Sequence, residues 1–402
     1  MRLTSLVAAW AGSAMISAAR AYPGMNETLI ETLKEQDCKG SNELIGDLLW
    51  LNNSELSPVA LLIKSILIYN TDARSNEHYA NVPPLHSAAC ARDTCCVWWY
   101  IAEEMERLFR APDGQCTNAA RAAIRLGFHD AAGWSKATGD FGGADGSIVL
   151  APDEIGYRVN HGLEEIIQQM KHWYGKWGHY GVSMADLIQM AANVGTVVCP
   201  LGPRIRSFVG RRDSHIPALD GQLPSPFDPA DKLIDLFRAK TIEPVGLAAL
   251  LGAHSTSKQR FVDDNFFGFP QDSTPGVWDT LFYSQTLNGG APDIFRIPSD
   301  VILSQHPHLF PAFKAYAGPG GQGRWNFVSY LSLFIFCRWT FTQPFFCLCF
   351  RTTPASTSAS ACWASTTSTT LPTAHAFFLR QRPSGSARRR RSKYVQGIYR
   401  ET

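Results

Sequence analysis

The sequence predicts an all-α body with functional loops between its helices, and three observations carry that prediction. Apolar residues recur at helical spacing in one segment after another from Val97 onward. Prolines stand where a first helical turn tolerates them. No stretch sustains the period-two alternation of a half-buried strand. At 402 residues the chain has enough core for one large domain or two.

Taken in order, residues 1–21 read as a secretory signal peptide. Arg2 supplies the positive region, residues 3–16 the apolar region, and Ala19-Arg20-Ala21 an A-x-A cleavage site. The expected location is therefore extracellular. Asn26-Glu27-Thr28 and Asn52-Asn53-Ser54 then become glycosylation acceptors, and ten cysteines suit an oxidising compartment. Residues 22–94 form a polar N-terminal extension, loosely structured, with one apolar run at 59–68 and one or two short helices. Helical spacing then covers 97–109, 117–130, 161–177, 182–197, 229–238, 244–255, 277–286 and 307–316, with Pro229, Pro244 and Pro307 opening three of them. From residue 327 the text changes to "FVSYLSLFIFCRWTFTQPFFCLCF", which Arg338 and Pro344 interrupt short of a membrane-spanning length. A net charge of +2 gives no field for nucleic acid. Neither nucleic acid nor a membrane is an expected partner, and the chain is expected to be a monomer.

Three fragments carry chemistry. In "RLGFHDAAGWS", Arg125 and His129 stand four residues apart and so project from one helix face, with Phe128 and Asp130 beside the histidine. A base next to a permanent cation suits heterolytic O–O cleavage: the base moves a proton between the oxygens while the cation holds developing negative charge. "FGGADGSIVL" places Gly143, Asp145 and Ser147 in a tight turn, and with Asp130 they offer the hard oxygen ligands Ca²⁺ takes. "LLGAHSTSK" puts His254 and Ser255 at the end of an apolar helix. Asp272, Thr274, the Val277 carbonyl and Asp279 in "QDSTPGVWD" would complete a second oxygen cage with Ser255. Asp300 could accept the Nδ1 proton of His254 and raise its donor strength. Each fragment alone has an ordinary structural reading: a solvated helix face, a Gly-rich turn, a satisfied core histidine.

Together, "RLGFHD…GGADGS…LGAHS…QDSTPGVWD…SD" resembles the fungal secreted haem peroxidases, the class II branch of the plant peroxidase superfamily, from about Cys95 to Asn326. The resemblance implies a two-domain all-α peroxidase fold with haem b between a distal half (95–220) and a proximal half (221–326). It implies His254 as the proximal iron ligand with Asp300 behind it, His129 as the distal base, Arg125 as the charge stabiliser and Phe128 packed over the haem. Asn160 would hold His129 Nδ1–H, and Glu154 would be the acid that orients Asn160. Two Ca²⁺ ions would occupy the cages at Asp130, Gly143, Asp145 and Ser147, and at Ser255, Asp272, Thr274, Val277 and Asp279. The implied reaction reduces H₂O₂ and oxidises small aromatic or phenolic donors one electron at a time. The rival readings are a catalytically impaired, Ca²⁺-stabilised secreted binding protein on the same scaffold, and an intracellular one-electron-transfer peroxidase.

Departures from the family refine this. The positions of a manganese site hold Asn118, Ala122 and Ser257, none acidic, and that of the ligninolytic surface tryptophan holds Ala249, so a generic low-potential peroxidase is expected. Trp134 and Trp278 remain as electron relays, against the commoner packing role. Ala131 follows the "FHD" motif. Gln271 stands where a phenylalanine usually backs the haem, which puts redox behaviour in question. The resemblance pairs Cys116 with Cys199. It leaves Cys95 and Cys96 without assigned partners, with Cys38 and Cys90 as candidates. Residues 327–402 depart from the family tail. Val328-Ser329-Tyr330 is what a fungal 5′ splice site spells in frame, and "ACWASTT" can be encoded so that a shifted frame fits that tail. The expectation is a retained intron followed by a frameshift, a tail that leaves the proximal half without its closing helix.

Overall fold

The computed structural model describes residues 51–336 apart from 69, 77, 78, 80 and 140, together with residue 48 and strand segments 347–349 and 362–363. The expected signal peptide and Asn26 glycosylation acceptor, Cys38 and most of the tail lie outside the described residues. Contacts divide the chain after Ala364, and 365–402 are among the residues not described.

The body is helical, as the periodicity predicts. In chain order the described helices are α1 (Pro58–Leu67), α2 (Ala88–Arg92), α3 (Cys96–Phe109), α4 (Asn118–Ala131), α5 (Ser147–Leu150), α6 (Glu164–Trp177) and α7 (Met184–Val198). They continue with α8 (Ala230–Arg238), α9 (Pro244–Leu251), α10 (Leu281–Leu287), α11 (Pro298–Gln305), α12 (Phe310–Ala317) and α13 (Gly321–Phe336). Strands among the described residues are confined to one small antiparallel sheet in the order β1 (Ser207–Val209), β2 (Cys347–Cys349), β3 (Cys362–Trp363), with Phe208 opposite Leu348 and Cys349 opposite Cys362.

Local chemistry sets the helix starts. Thr117 caps α4 by accepting from Ala120 N, and Ser183 caps α7 by accepting from Asp186 N. Pro244 opens α9 as expected. Pro229 is instead the residue before α8, and Pro307 lies ahead of α12, whose first turn takes a different proline. The expected helix 244–255 ends at Leu251, and the chain tightens into a 3₁₀ turn over Gly252–Thr256 that carries His254.

One crossing builds the distal wall. α4 lies against α7, and Gly127 makes the close approach possible: a Cβ there would stand 2.5 Å from Ala192 Cβ. Gln189 Nε2 donates to the Gly127 carbonyl at 3.1 Å across the same contact. The Cys116–Cys199 disulfide ties the start of α4 to the end of α7, in the pairing that the resemblance implies. Cys96 pairs with Cys90, and Cys95 is also disulfide-bonded.

Two parts are more ordered than the sequence suggests. Within the extension, α1 buries Ala60, Ile63, Ile66 and Leu67 in a small second core with Ile205 and Phe208. At the far end, α13 runs past Asn326 to Phe336 with Val328 and Ser329 buried, so a helix closes the body where the tail was expected to leave none.

Candidate active site

The distal side chains come from one face of α4 and the loop after α5. His129 Nδ1 lies 2.8 Å from Asn160 Oδ1, and Asn160 Nδ2 donates to the Glu154 backbone carbonyl at 2.8 Å. That second bond fixes the amide orientation, so Oδ1 accepts and His129 carries its proton on Nδ1. The Nε2 lone pair is left inward, where Arg125 Nε donates to it at 3.2 Å. Arg125 is held by two carbonyls: Nη1 donates to His161 O and Nη2 to Val159 O, each at 2.9 Å. Burial, with the Arg125 charge adding, pushes His129 down to about 3, so the imidazole is neutral. Burial lowers Arg125 to about 10, which leaves it cationic at neutral pH. Phe128 stacks on Phe237 of α8, with ring centroids 6.3 Å apart.

Glu154 orients Asn160 through its carbonyl, whereas the resemblance implies its acid group. The buried Glu154 carboxylate accepts instead from Ala218 N at 2.9 Å, and burial raises its pKa. Glu154 thus pins the Asn160 loop to the segment around Ala218.

On the other side, His254 Nδ1 lies 2.8 Å from Asp300 Oδ2. Asp300 sits in the first turn of α11, a helix the periodicity does not reveal. Burial alone would lower His254, but the Asp300 carboxylate outweighs it by charge and hydrogen bond, so the net direction is up. Its Nε2 makes no hydrogen bond among the described residues. The side chain keeps 33% of its surface open although Phe282 packs edge-on against it. The Arg125 charge also reaches His254 and acts against the upward shift. A ring with Nδ1 anchored and Nε2 open fits an iron ligand.

Residues of both expected cages meet in hydrogen-bonded turns. In the first, Asp130 accepts from Gly146 N at 3.0 Å and Asp145 accepts from Ser147 N at 3.0 Å. The turn needs positive φ at Gly143 (100°) and Gly146 (77°), which glycine alone adopts without strain. Ser147 Oγ is fully buried and lies by the Asp145 and Glu154 carboxylates without a well-formed hydrogen bond among the described residues. Burial raises Asp130 and Asp145, and their mutual repulsion raises Asp130 further. In the second, Thr274 Oγ1 donates to Asp279 Oδ2 at 2.8 Å, Ser255 Oγ donates to the Val277 carbonyl at 3.1 Å, and Thr274 N donates to Asp272 Oδ1 at 2.9 Å. Asp272 Oδ2 is buried without a well-formed hydrogen bond among the described residues, and burial pushes Asp272 up to about 7 although the Ser255 hydroxyl beside it acts the other way. Orphaned oxygens and unneutralised carboxylates in both cages fit a hard cation. Among the described residues no three His, Cys, Asp or Glu side chains gather, since hydroxyls and carbonyls make up much of each cage.

Several contributors carry no sequence signal. The carbonyls of Val159, His161 and Glu154 act through the backbone. Phe237 and Phe282 look like core residues until the fold sets them against Phe128 and His254. Gln271 is buried, with Ser257 Oγ donating to its Oε1.

The peroxidase family profile matches residues 101–319, and the chain belongs to that family. It is 38% identical over 202 residues to "Ligninase C" of Trametes versicolor, covering 48% of this chain and 53% of that protein. It is 33% identical over 233 residues to "Peroxidase" of Arthromyces ramosus, covering 52% and 63%. To "Low-redox potential peroxidase" of Taiwanofungus camphoratus it is 34% identical over 232 residues, covering 53% and 64%. The matched region thus spans between about half and two thirds of these curated relatives.

Proposed function

We propose that this chain is a secreted, monomeric haem peroxidase that reduces H₂O₂ and oxidises small aromatic or phenolic donors in one-electron steps, with haem b on His254 and a Ca²⁺ ion in each oxygen cage. The observation that carries it is the pair of histidines each anchored through Nδ1: His129 on Asn160 with its Nε2 beside Arg125, and His254 on Asp300 with its Nε2 open. Bound haem supplies the redox chemistry, taking two oxidising equivalents from peroxide and releasing them singly.

The residues do the rest. His129 Nε2 accepts a proton from the nearer peroxide oxygen, which takes the place Arg125 Nε–H now holds, and returns it to the outer oxygen. Neutrality at His129 is the condition for this, and burial secures it. Arg125, anchored by Val159 and His161, keeps its charge where negative charge develops on the departing oxygen. Asn160 keeps the working tautomer throughout. Each cage adjoins one catalytic wall, Asp130 next to His129 and Ser255 next to His254, so the cations would hold both histidines in register.

Two features of the subtype support a generic peroxidase. Asn118, Ala122 and Ser257 give no acidic manganese cradle, and Ala249 is buried. Among the described residues no helix is long and apolar enough to cross a membrane. The test is an absorbance spectrum of the haem-loaded chain before and after H₂O₂. A Soret band that shifts with peroxide and is lost in His254→Ala is the expected result. A chain that binds no haem would instead be the Ca²⁺-stabilised scaffold.

A further inference from the structure

We propose that Trp278 and Trp325 form a buried redox-active pair that holds one oxidising equivalent as a protein radical; this rests on the peroxidase reading above. The two indoles stack with centroids 4.9 Å apart and planes 11° from parallel, and both are closed to solvent. A continuous aromatic path joins them to the proximal histidine. Trp325 meets Tyr283 at 5.8 Å, Tyr283 meets Phe282 at 5.3 Å, and Phe282 meets His254 at 5.7 Å. A shorter route exists through the backbone. A Cβ on Gly252, two residues before His254, would stand 2.4 Å from Trp325 Nε1 and 2.3 Å from the Tyr283 hydroxyl.

Packing alone does not account for the chemistry of the pair. Trp278 Nε1 is buried without an acceptor among the described residues, a desolvation cost that a phenylalanine would not incur. Trp325 Nε1 donates to the Ala249 carbonyl at 2.8 Å, and that dipole favours positive charge on the ring. Face-to-face indoles share a hole across two π systems, which makes the pair easier to oxidise than either ring alone. The step transfers one electron from the pair to the peroxide-oxidised haem and leaves an indole radical cation. No proton moves, because one N–H faces a backbone carbonyl and the other meets no base among the described residues. An external aromatic donor later returns the electron.

The test uses the haem-loaded chain, mixed with one equivalent of H₂O₂ without donor and frozen for electron paramagnetic resonance. An indole radical is expected, lost in Trp278→Phe and in Trp325→Phe and kept in Trp134→Phe. Near-UV circular dichroism of the same samples should show an exciton couplet that disappears in either pair variant. After repeated peroxide exposure of the unmutated chain, peptide mass spectrometry should find added oxygen on Trp278 or Trp325, which checks the site without any substitution. Haem that reacts with peroxide while the radical persists in Trp278→Phe overturns the pair, as does oxidation confined to other tryptophans. Haem whose spectrum ignores peroxide overturns the peroxidase reading itself, and the pair with it.

Discussion

Lys240 is fully buried, and its Nζ donates to the Trp134 carbonyl at 2.7 Å with no carboxylate partner among the described residues. Loss of hydration pushes its ammonium from the ordinary 10.5 down to about 7. The unfolded chain therefore binds more protons than the folded one between pH 7 and 10.5, and stability rises with pH across that window. At 1.36 kcal/mol per pH unit, the fall from 10.5 to 7 costs about 5 kcal/mol at and below pH 7. Lys240→Met keeps most of the side-chain length and removes the charge. It also leaves the Trp134 carbonyl without its donor, a loss of about 1–3 kcal/mol. The net expectation is stabilisation by about 2–4 kcal/mol at pH 6, shrinking as pH rises and turning to destabilisation by about 1–3 kcal/mol above pH 10.5. Urea denaturation of both chains at several pH values between 6 and 10.5 reads this directly, since every other titrating group cancels in the difference. A difference that does not change with pH would refute the reasoning, because it would mean that Lys240 keeps its hydration when folded.

Asn160→Leu removes the acceptor that fixes the His129 tautomer; the peroxide-dependent step, followed by stopped-flow absorbance, should slow about 10²–10⁴-fold while haem binding persists. Gly127→Ala forces a Cβ to within 2.5 Å of Ala192 and should cost about 1–3 kcal/mol in denaturant melts, with the distal histidine displaced as α4 shifts from α7. Chelation of Ca²⁺ should lower the melting temperature and abolish peroxide turnover, and re-addition should restore both; turnover that survives complete metal removal would sever the cages from the catalytic walls.

Much of the site is legible in the sequence because its parts are local. Arg125, Phe128, His129 and Asp130 share one helix, and the glycine-rich turn and "QDSTPGVWD" each bring several ligands within a few residues. Helical spacing likewise marks most helices to within a few residues. Boundaries shift where proline caps a helix from outside, as at Pro229, and where the chain tightens to 3₁₀ around His254. α11 escapes notice because it is short and its apolar face is weak, although it carries Asp300.

The sequence by itself determined which residue types the chemistry would use and in what order they occur, because helix and turn geometry act over a few residues. Only the tertiary structure decided how they meet. It gave Glu154's carboxyl to Ala218 and its carbonyl to Asn160, set Arg125 between the carbonyls of Val159 and His161, buried Lys240 against the Trp134 carbonyl, and stacked Trp278 on Trp325. The physical reason is that such contacts join segments tens to more than a hundred residues apart through burial and backbone dipoles, and neither leaves a mark in residue spacing.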